Sequence, residues 1–471
     1  MQRLTSVILL LFGFTLFAFG QNSHTPPPQT IANQMVQTAL AERQAYHWLE
    51  DLCTTIGPRL SGSKAAVQAA HWAADILAAN GADTVWLQPV IVPHWVRGSV
   101  EELTVHAGNG HSEPLSITAL GGTIGTPPEG ITASVIRLKN FDELKARRQE
   151  VPGKIVFFDF PMDAKKVNTF RAYGEAVQYR VFGAIRAAQY GARAVLIRSV
   201  TTRYDDVPHT GVMIYADSVR KIPAAALSWQ AADTFKRLLD QHPNATVTLR
   251  LSAQILADTL NYNVIGEIRG TEKPDEIIVV GGHLDSWDVG CGAHDDGAGI
   301  VQAMEVLSLF HRLQIRPKRT IRCVLFINEE NGSRGARAYA EFAKTEGRMH
   351  YAAMESDRGG FTPRGFTTSA DSVILAQMQA WLPHLRTARI EWIRKGGSGA
   401  DVSKIPDCPI KLGYVPDDQR YFDLHHSAND VFSAVHPREL ELGSAAMGIM
   451  TYFLSETDIQ MPTGTNRYST H

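Results

Sequence analysis

Residues 275–283 read "DEIIVVGGH", and this stretch decides the fold. Its centre is an unbroken run of Ile and Val, with no polar alternation. Such a run suits a strand buried on both faces, the habit of parallel sheets rather than of half-exposed antiparallel ones. The residues that follow support that reading. Residues 297–314, "GAGIVQAMEVLSLFHRLQ", place Ile300, Met304, Leu307 and Phe310 on one helical stripe. "TIRCVLFINEE" (320–330) reads as the next strand and "SRGARAYAEFAKT" (333–345) as the next helix. "MHYAAMESD" (349–357) is another strand, and "AVHPRELELGSAAMGIMTYFLSE" (434–456) a closing helix. The alternation predicts an α/β fold with a mostly parallel central sheet and helices on both faces.

Upstream, residues 31–50 read as helix, and "TTIGPRLSGSKAAVQAA" (54–70) as a loop running into a helix. Residues 83–106 alternate like strands. Residues 121–252 have a different texture. A Gly/Pro/Thr boundary, "GGTIGTPPEGITA", precedes short strand and helix signals such as "VPGKIVFFDF" and "IPAAALSWQAADTFKRLL". This reads as a smaller, self-contained α/β unit inserted into the larger one. The expected layout is 1–20 leader, 21–120 first part of the main domain, 121–252 inserted domain, 253–460 second part, and 461–471 tail.

The 471 residues are 44% hydrophobic and 20% charged, with a formal net charge of −2. That balance is globular, and the length suggests two domains. No basic excess points to nucleic acid, and no acidic run suggests a disordered tail. The start, "MQRLTSVILLLFGFTLFAFGQNS", has a positive residue, an apolar stretch too short to span a bilayer, and a small-x-small cleavage site. The expectation is an exported protein without a membrane span: secreted, extracellular or periplasmic. Cys53, Cys291, Cys323 and Cys408 are too widely spaced to imply a disulfide framework, and Cys323 lies in an apolar run that suits a buried thiol. The reading leaves the oligomeric state open and admits a homodimer.

Residues 281–300, "GGHLDSWDVGCGAHDDGAGI", carry two His and four Asp among six Gly. Open α/β sheets build their sites at the carboxyl ends of strands. His283 ends one predicted strand, Glu329 and Glu330 the next, and Asp357 a third. Asp295 and Asp296 precede the first helix, and His425 and His426 precede the last. Carboxylates gathered this way repel one another unless cations neutralise them. Mixed imidazole and carboxylate ligands suit zinc, which can lower the pKa of water to about 7. Of the adjacent Glu329 and Glu330, one can bind metal while the other faces substrate.

The motifs "GPRLSGS" (57–63), "NVIGEIRG" (263–270), "GGHLDS" (281–286), "GAHDDGAG" (292–299), "INEENGSRGA" (327–336), "ESD" (355–357) and "HHSANDV" (425–431) occur in this order. The series resembles the co-catalytic dizinc aminopeptidase and glutamate carboxypeptidase family, and most closely its carboxypeptidase Q-like branch. The inserted unit resembles the protease-associated domain of that branch. The resemblance implies a zinc-dependent exopeptidase with two Zn2+ per chain. It implies that His283 and Asp357 bind one ion, Glu330 and His426 the other, and that Asp295 bridges. It makes Glu329 the general base and Asp285 the acceptor that orients the His283 ring. It also implies a cis bond between Asp295 and Asp296. The family pattern of His, Ser or Thr, two residues and an acid selects His426 over His425, and gives His294 no metal. The implied substrates are dipeptides or short peptides, with Arg358, Lys395 and Arg420 as candidates to meet a substrate carboxylate. The alternatives are an aminopeptidase on longer peptides, a receptor-like binding protein of the same fold without chemistry, and an acyltransferase that cyclises N-terminal glutamine.

Overall fold

A computed structural model describes residues 26–108 and 110–461. The leader read at 1–20 and the tail beyond 461 lie outside the described residues.

The described residues form two eight-stranded sheets. The first runs in the order Thr84–Val96, Gln254–Ile268, Arg319–Phe326, Lys273–His283, Met349–Glu355, Ile410–Pro416, Pro363–Thr368, Trp392–Lys395. Its four middle strands, from Arg319–Phe326 to Ile410–Pro416, are mutually parallel. Antiparallel neighbours flank this block on both sides. From Ile277 to His283 the opening strand is buried at every residue, as its β-branched run requires. The parallel register pairs His283 with Phe326 and Gly281 with Glu355. The carboxyl ends of three strands therefore meet at one edge.

Helix Ala298–Arg312 packs between this sheet and helix Pro437–Glu456, the latter opened by a Pro in its first turn. The stripe expected on the first of these is only part of the picture. Every residue from Ala298 to Phe310 is buried, including Gln302, Glu305 and Ser308. The N-terminal helices Pro28–Glu42 and Gln44–Asp51 cover the side that would otherwise face water. The opposite sheet face is covered by helix Arg334–Thr345, through Ala336, Tyr339 and Ala343. All four cysteines are free, and Cys323 is fully buried in its strand.

The second sheet runs His111–Leu115, Glu101–Gly108, Thr246–Leu251, Ile131–Leu138, Ile155–Phe158, Ala194–Arg198, Ala224–Leu227, Ile117–Ala119. Helices Thr169–Ala188 and Trp229–Gln241 pack on it, and Asn168 and Ser228 cap their N-termini. This layer begins before the compositional boundary at 121, because Glu101–Gly108 pairs with Thr246–Leu251. Pairing between segments so distant in the chain leaves no local mark in composition. No helix among the described residues is long and apolar enough to cross a membrane.

Candidate active site

Arg59, from "GPRLSGS", explains how the loop after His283 holds its shape. Its guanidinium is fully buried and donates to the carbonyls of Leu284, Cys291 and Gly292 at 2.6, 2.6 and 3.2 Å. The loop's main chain is thus fastened from inside, because buried carbonyls need partners. The turn Ala293–Gly297 follows, with a cis Asp295–Asp296 peptide bond as the resemblance implied. Asp296 turns back: its Oδ2 accepts the His283 N–H at 3.0 Å and its Oδ1 the Gly299 N–H at 3.0 Å.

Asp295 lies at the centre of the cluster. Its Oδ1 is 3.2 Å from His283 Nε2, and His283 Nε2 is 3.4 Å from Asp357 Oδ1. Its Oδ2 is 3.2 Å from His426 Nε2, and His426 Nε2 is 3.0 Å from Glu330 Oε2. One carboxylate thus separates two groups, each with one imidazole and one further acid. Asp295 Oδ2 and Glu330 Oε1 are buried without an aligned hydrogen bond. His283, Asp295 and Glu330 offer ligand atoms within 4.8 Å of one another. Orphaned buried carboxylate oxygens beside imidazole nitrogens are what a divalent cation satisfies. The donor set therefore fits zinc.

The charge balance of this cluster is uneven. Burial opposes a charged His283, but Asp295 and Asp357 outweigh it and hold its pKa well above the usual value. Burial raises Glu329 far above the ordinary carboxylate range, and the neighbouring Asp357, Glu330 and Asp285 add to it. Burial likewise raises Asp296, with Asp357 and Asp295 contributing. The acids crowd one another strongly, as the sequence argument requires.

The two glutamates occupy different settings. Glu330 is buried against His426, whereas Glu329 keeps part of its surface open and its N–H donates to Asp285 Oδ1 at 3.1 Å. Asp285 meets His283 differently from the expectation. The His283 Nδ1 partner is the Asp285 main-chain carbonyl at 2.9 Å, with the carboxylate 3.9 Å away. A residue two positions on can reach back with its backbone, which leaves the carboxylate for Glu329.

His425 stacks on His426 with ring centroids 3.4 Å apart, and its Nε2 lies 3.6 Å from Asp295, farther than that of His426. His294 is turned away from the cluster. Its Nδ1 accepts the Gly360 N–H, its Nε2 donates to the Ala434 carbonyl, and the ring stacks on Phe361. Cys291 donates to the Asp430 carbonyl rather than facing the cluster. Of the cations considered for substrate, Lys395 is engaged by the Ala370 carbonyl and Arg420 lies over Phe361. Arg358 lies over Phe170 of the second layer.

Sequence reasoning gave no role to Asp296, Asp430, Arg59 or Arg180. Asp430 lay within "HHSAND" and Arg59 within "GPRLSGS", so the motifs contained both without revealing their contacts. Arg180 comes from the second layer, buried, with its Nη1 3.4 Å from His426 Nδ1. From the same layer His209 Nδ1 donates to the His425 carbonyl at 2.7 Å, and Thr210 N–H to the His426 carbonyl at 2.9 Å. Nothing local in the sequence signals these contacts.

A parallel-centred sheet with one carboxylate set between two imidazole–acid groups at its strand ends has the makings of a metal-dependent hydrolase. Residues 263–441 match the model of peptidase family M28. Carboxypeptidase Q of Bos taurus and of Homo sapiens are each 36% identical over 423 residues, covering 90% of this chain and 87% of theirs. The Peptidase M28 precursor of Shewanella amazonensis SB2B superposes with a TM-score of 0.87 at 32% identity, covering 92% of this chain and 98% of that one. The chain belongs to peptidase family M28. A zinc aminopeptidase of Bacillus subtilis shares the fold at 19% identity, with a TM-score of 0.63 over 88% of this chain and 98% of its own.

Proposed function

We propose that this protein is an exported two-zinc exopeptidase that hydrolyses dipeptides or short peptides. The observation that carries the reading is the Asp295 carboxylate, with one oxygen at His283, which also meets Asp357, and the other at His426, which also meets Glu330. Those five residues would hold the two ions, and zinc bound there would polarise the scissile carbonyl and lower the pKa of the attacking water.

The chain supplies the rest. Glu329, accessible and fixed by its N–H bond to Asp285, takes the proton of the attacking water and passes it to the leaving amine. Asp296 and Asp430 hold the backbone of His283 and Asp295, so the ligands keep their directions without substrate. The second layer, read as the protease-associated unit, contacts the His425–His426 loop through His209, Thr210 and Arg180 and walls that side of the site. Such a wall disfavours long chains and supports action near a terminus. The complete ligand set with an accessible base argues against a receptor-like protein without chemistry. Export rests on the leader-like residues 1–20.

The test combines metal analysis with peptide hydrolysis. The expected result is two zinc ions per chain and cleavage of unblocked dipeptides that stops on chelation and returns with zinc. At most one ion per chain at full activity overturns the two-ion reading. Faster cleavage of N-terminal residues from longer peptides moves the assignment to an aminopeptidase.

A further inference from the structure

Two cysteines more than two hundred positions apart in the chain meet beside the loop that joins His283 to Asp295. Cys53 lies in the turn Leu52–Ile56, which follows helix Gln44–Asp51 and leads into "GPRLSGS". Cys291 lies in the loop itself. Their thiols stand within hydrogen-bond reach of each other. Both are free, and each keeps part of its surface open to solvent. The fold holds the two segments together by other contacts. The Leu52–Ile56 turn packs against the Ala293–Gly297 turn, and Cys53 and Cys291 lie on the same core. Arg59, a few residues after Cys53, donates to the Cys291 carbonyl at 2.6 Å. The other two cysteines are placed elsewhere: Cys323 is fully buried in its strand, and Cys408 packs on the opposite sheet face.

We infer that Cys53 and Cys291 form a reversible disulfide that fastens the loop between His283 and Asp295 to the N-terminal helices, with a low-molecular-weight disulfide such as oxidised glutathione as the oxidant. The two thiols are unequal. The hydrogen bond from Cys53, helped by the Arg59 charge, lowers the Cys291 pKa to about 7 against the effect of burial. The same bond raises Cys53, and burial adds to it. Cys291 is therefore the thiol that attacks and Cys53 the one that resolves. The Cys291 thiolate bonds to one sulfur of the oxidant, whose S–S bond breaks and releases one glutathione thiolate. Cys53 gives its proton to solvent, attacks the Cys291 sulfur and releases the second glutathione thiolate. Two protein thiols become one S–S bond, and one glutathione disulfide becomes two thiols, which take up the two protons. The export proposed above would bring the protein to a compartment where disulfides persist. The crosslink encloses every strand of the second sheet, so it removes much freedom from the unfolded chain.

The test equilibrates the folded protein with oxidised glutathione and counts its thiols after unfolding. Of the four thiols in the chain, two should be lost, and a phosphine reductant should restore them. A digest should contain one pair of peptides joined through Cys53 and Cys291. The oxidised protein should unfold about 2–8 °C above the reduced one, the scale of a native crosslink. Cys53→Ser and Cys291→Ser should each abolish the joined peptides and the shift, whereas Cys408→Ser should keep both. If either serine variant fails to fold, the digest and the unfolding of the parent protein still decide. Retention of all four thiols, or glutathione held on Cys291 with Cys53 still free, overturns the pairing. Joined peptides with an unchanged unfolding temperature overturn the fastening. None of these measurements needs export, bound zinc or peptide cleavage, so a failure of the peptidase or export reading is told apart from a failure of this one.

Discussion

Asp430 holds Asp295 by its backbone. Its Oδ2 accepts the Asp295 N–H at 3.0 Å while its Oδ1 accepts the neighbouring His294 N–H at 2.7 Å. The central carboxylate of the site is thus aimed by a second carboxylate that touches neither imidazole–acid group. Removing such a support typically weakens metal binding by 10- to 100-fold. Asp430→Ala is expected to lower zinc affinity by about that factor in a folded protein, and Asp430→Asn, which keeps one acceptor, by less. Titration against a zinc buffer measures it. Unaltered affinity in Asp430→Ala would show that the turn holds itself.

The adjacent glutamates should separate cleanly. Glu329→Gln keeps size and removes the proton acceptor, so zinc content should be unchanged while kcat falls by roughly 10²- to 10⁴-fold. Glu330→Gln should lose zinc, since Glu330 Oε2 stands 3.0 Å from His426. Elemental analysis beside steady-state kinetics decides it, and the reverse pattern would exchange the two roles.

Arg59 makes three hydrogen bonds to buried carbonyls of the loop between His283 and Asp295. Arg59→Met keeps the volume and leaves those carbonyls without donors, each worth about 1–3 kcal/mol. A loss of roughly 3 kcal/mol or more is expected in urea unfolding, with weaker zinc binding alongside. Arg59→Lys should recover only part of it, because an ammonium cannot reproduce the planar fork. Stability within about 0.5 kcal/mol of the parent in Arg59→Met would contradict this account.

Glu305 and Glu441 face each other between the two buried helices. Arg312 donates to Glu305 at 2.9 Å and the Tyr46 N–H to Glu441 at 2.9 Å. Burial, followed by the like charge of Glu305, pushes Glu441 up to about 10. Unfolded, a glutamate titrates near pH 4.3. The folded value is the higher, so the folded state binds the extra proton. The stability this gives is fully present below about pH 4.3 and is lost progressively up to about pH 10, by at most ~1.4 kcal/mol per pH unit. Glu441→Gln keeps the acceptor for Tyr46 and a donor toward Glu305. It should flatten the fall in stability between pH 7 and 10, measured by urea unfolding at several pH values. An unchanged slope would mean that Glu441 is ionised in the fold.

Much of the site was legible because ligand chemistry recurs where strands end. "DEIIVVGGH" announced a buried strand, and its register with the next two strands carried His283, Glu329, Glu330 and Asp357 to one edge. The family pattern pointed to His426, whose Nε2 lies 3.2 Å from Asp295 and 3.0 Å from Glu330. The partner of His283 was less legible. The resemblance implied the Asp285 carboxylate as that partner, and the fold shows its carbonyl there and its carboxylate at Glu329.

The sequence by itself determined the strand and helix alternation, the class of chemistry and the candidate residues for it. Those follow from periodicity and functional-group type, which are properties of short segments. Tertiary structure alone decided what orients those residues. Arg59 fastens a loop more than two hundred positions away, Asp430 aims Asp295, and Arg180 and His209 reach the site from the other layer. It also decided that Glu101–Gly108 joins the second sheet and that the Ala298–Arg312 helix has no wet face. The physical reason is the same in each case. A buried polar group or a strand edge must find a partner, and nothing in local pattern fixes which distant segment provides it.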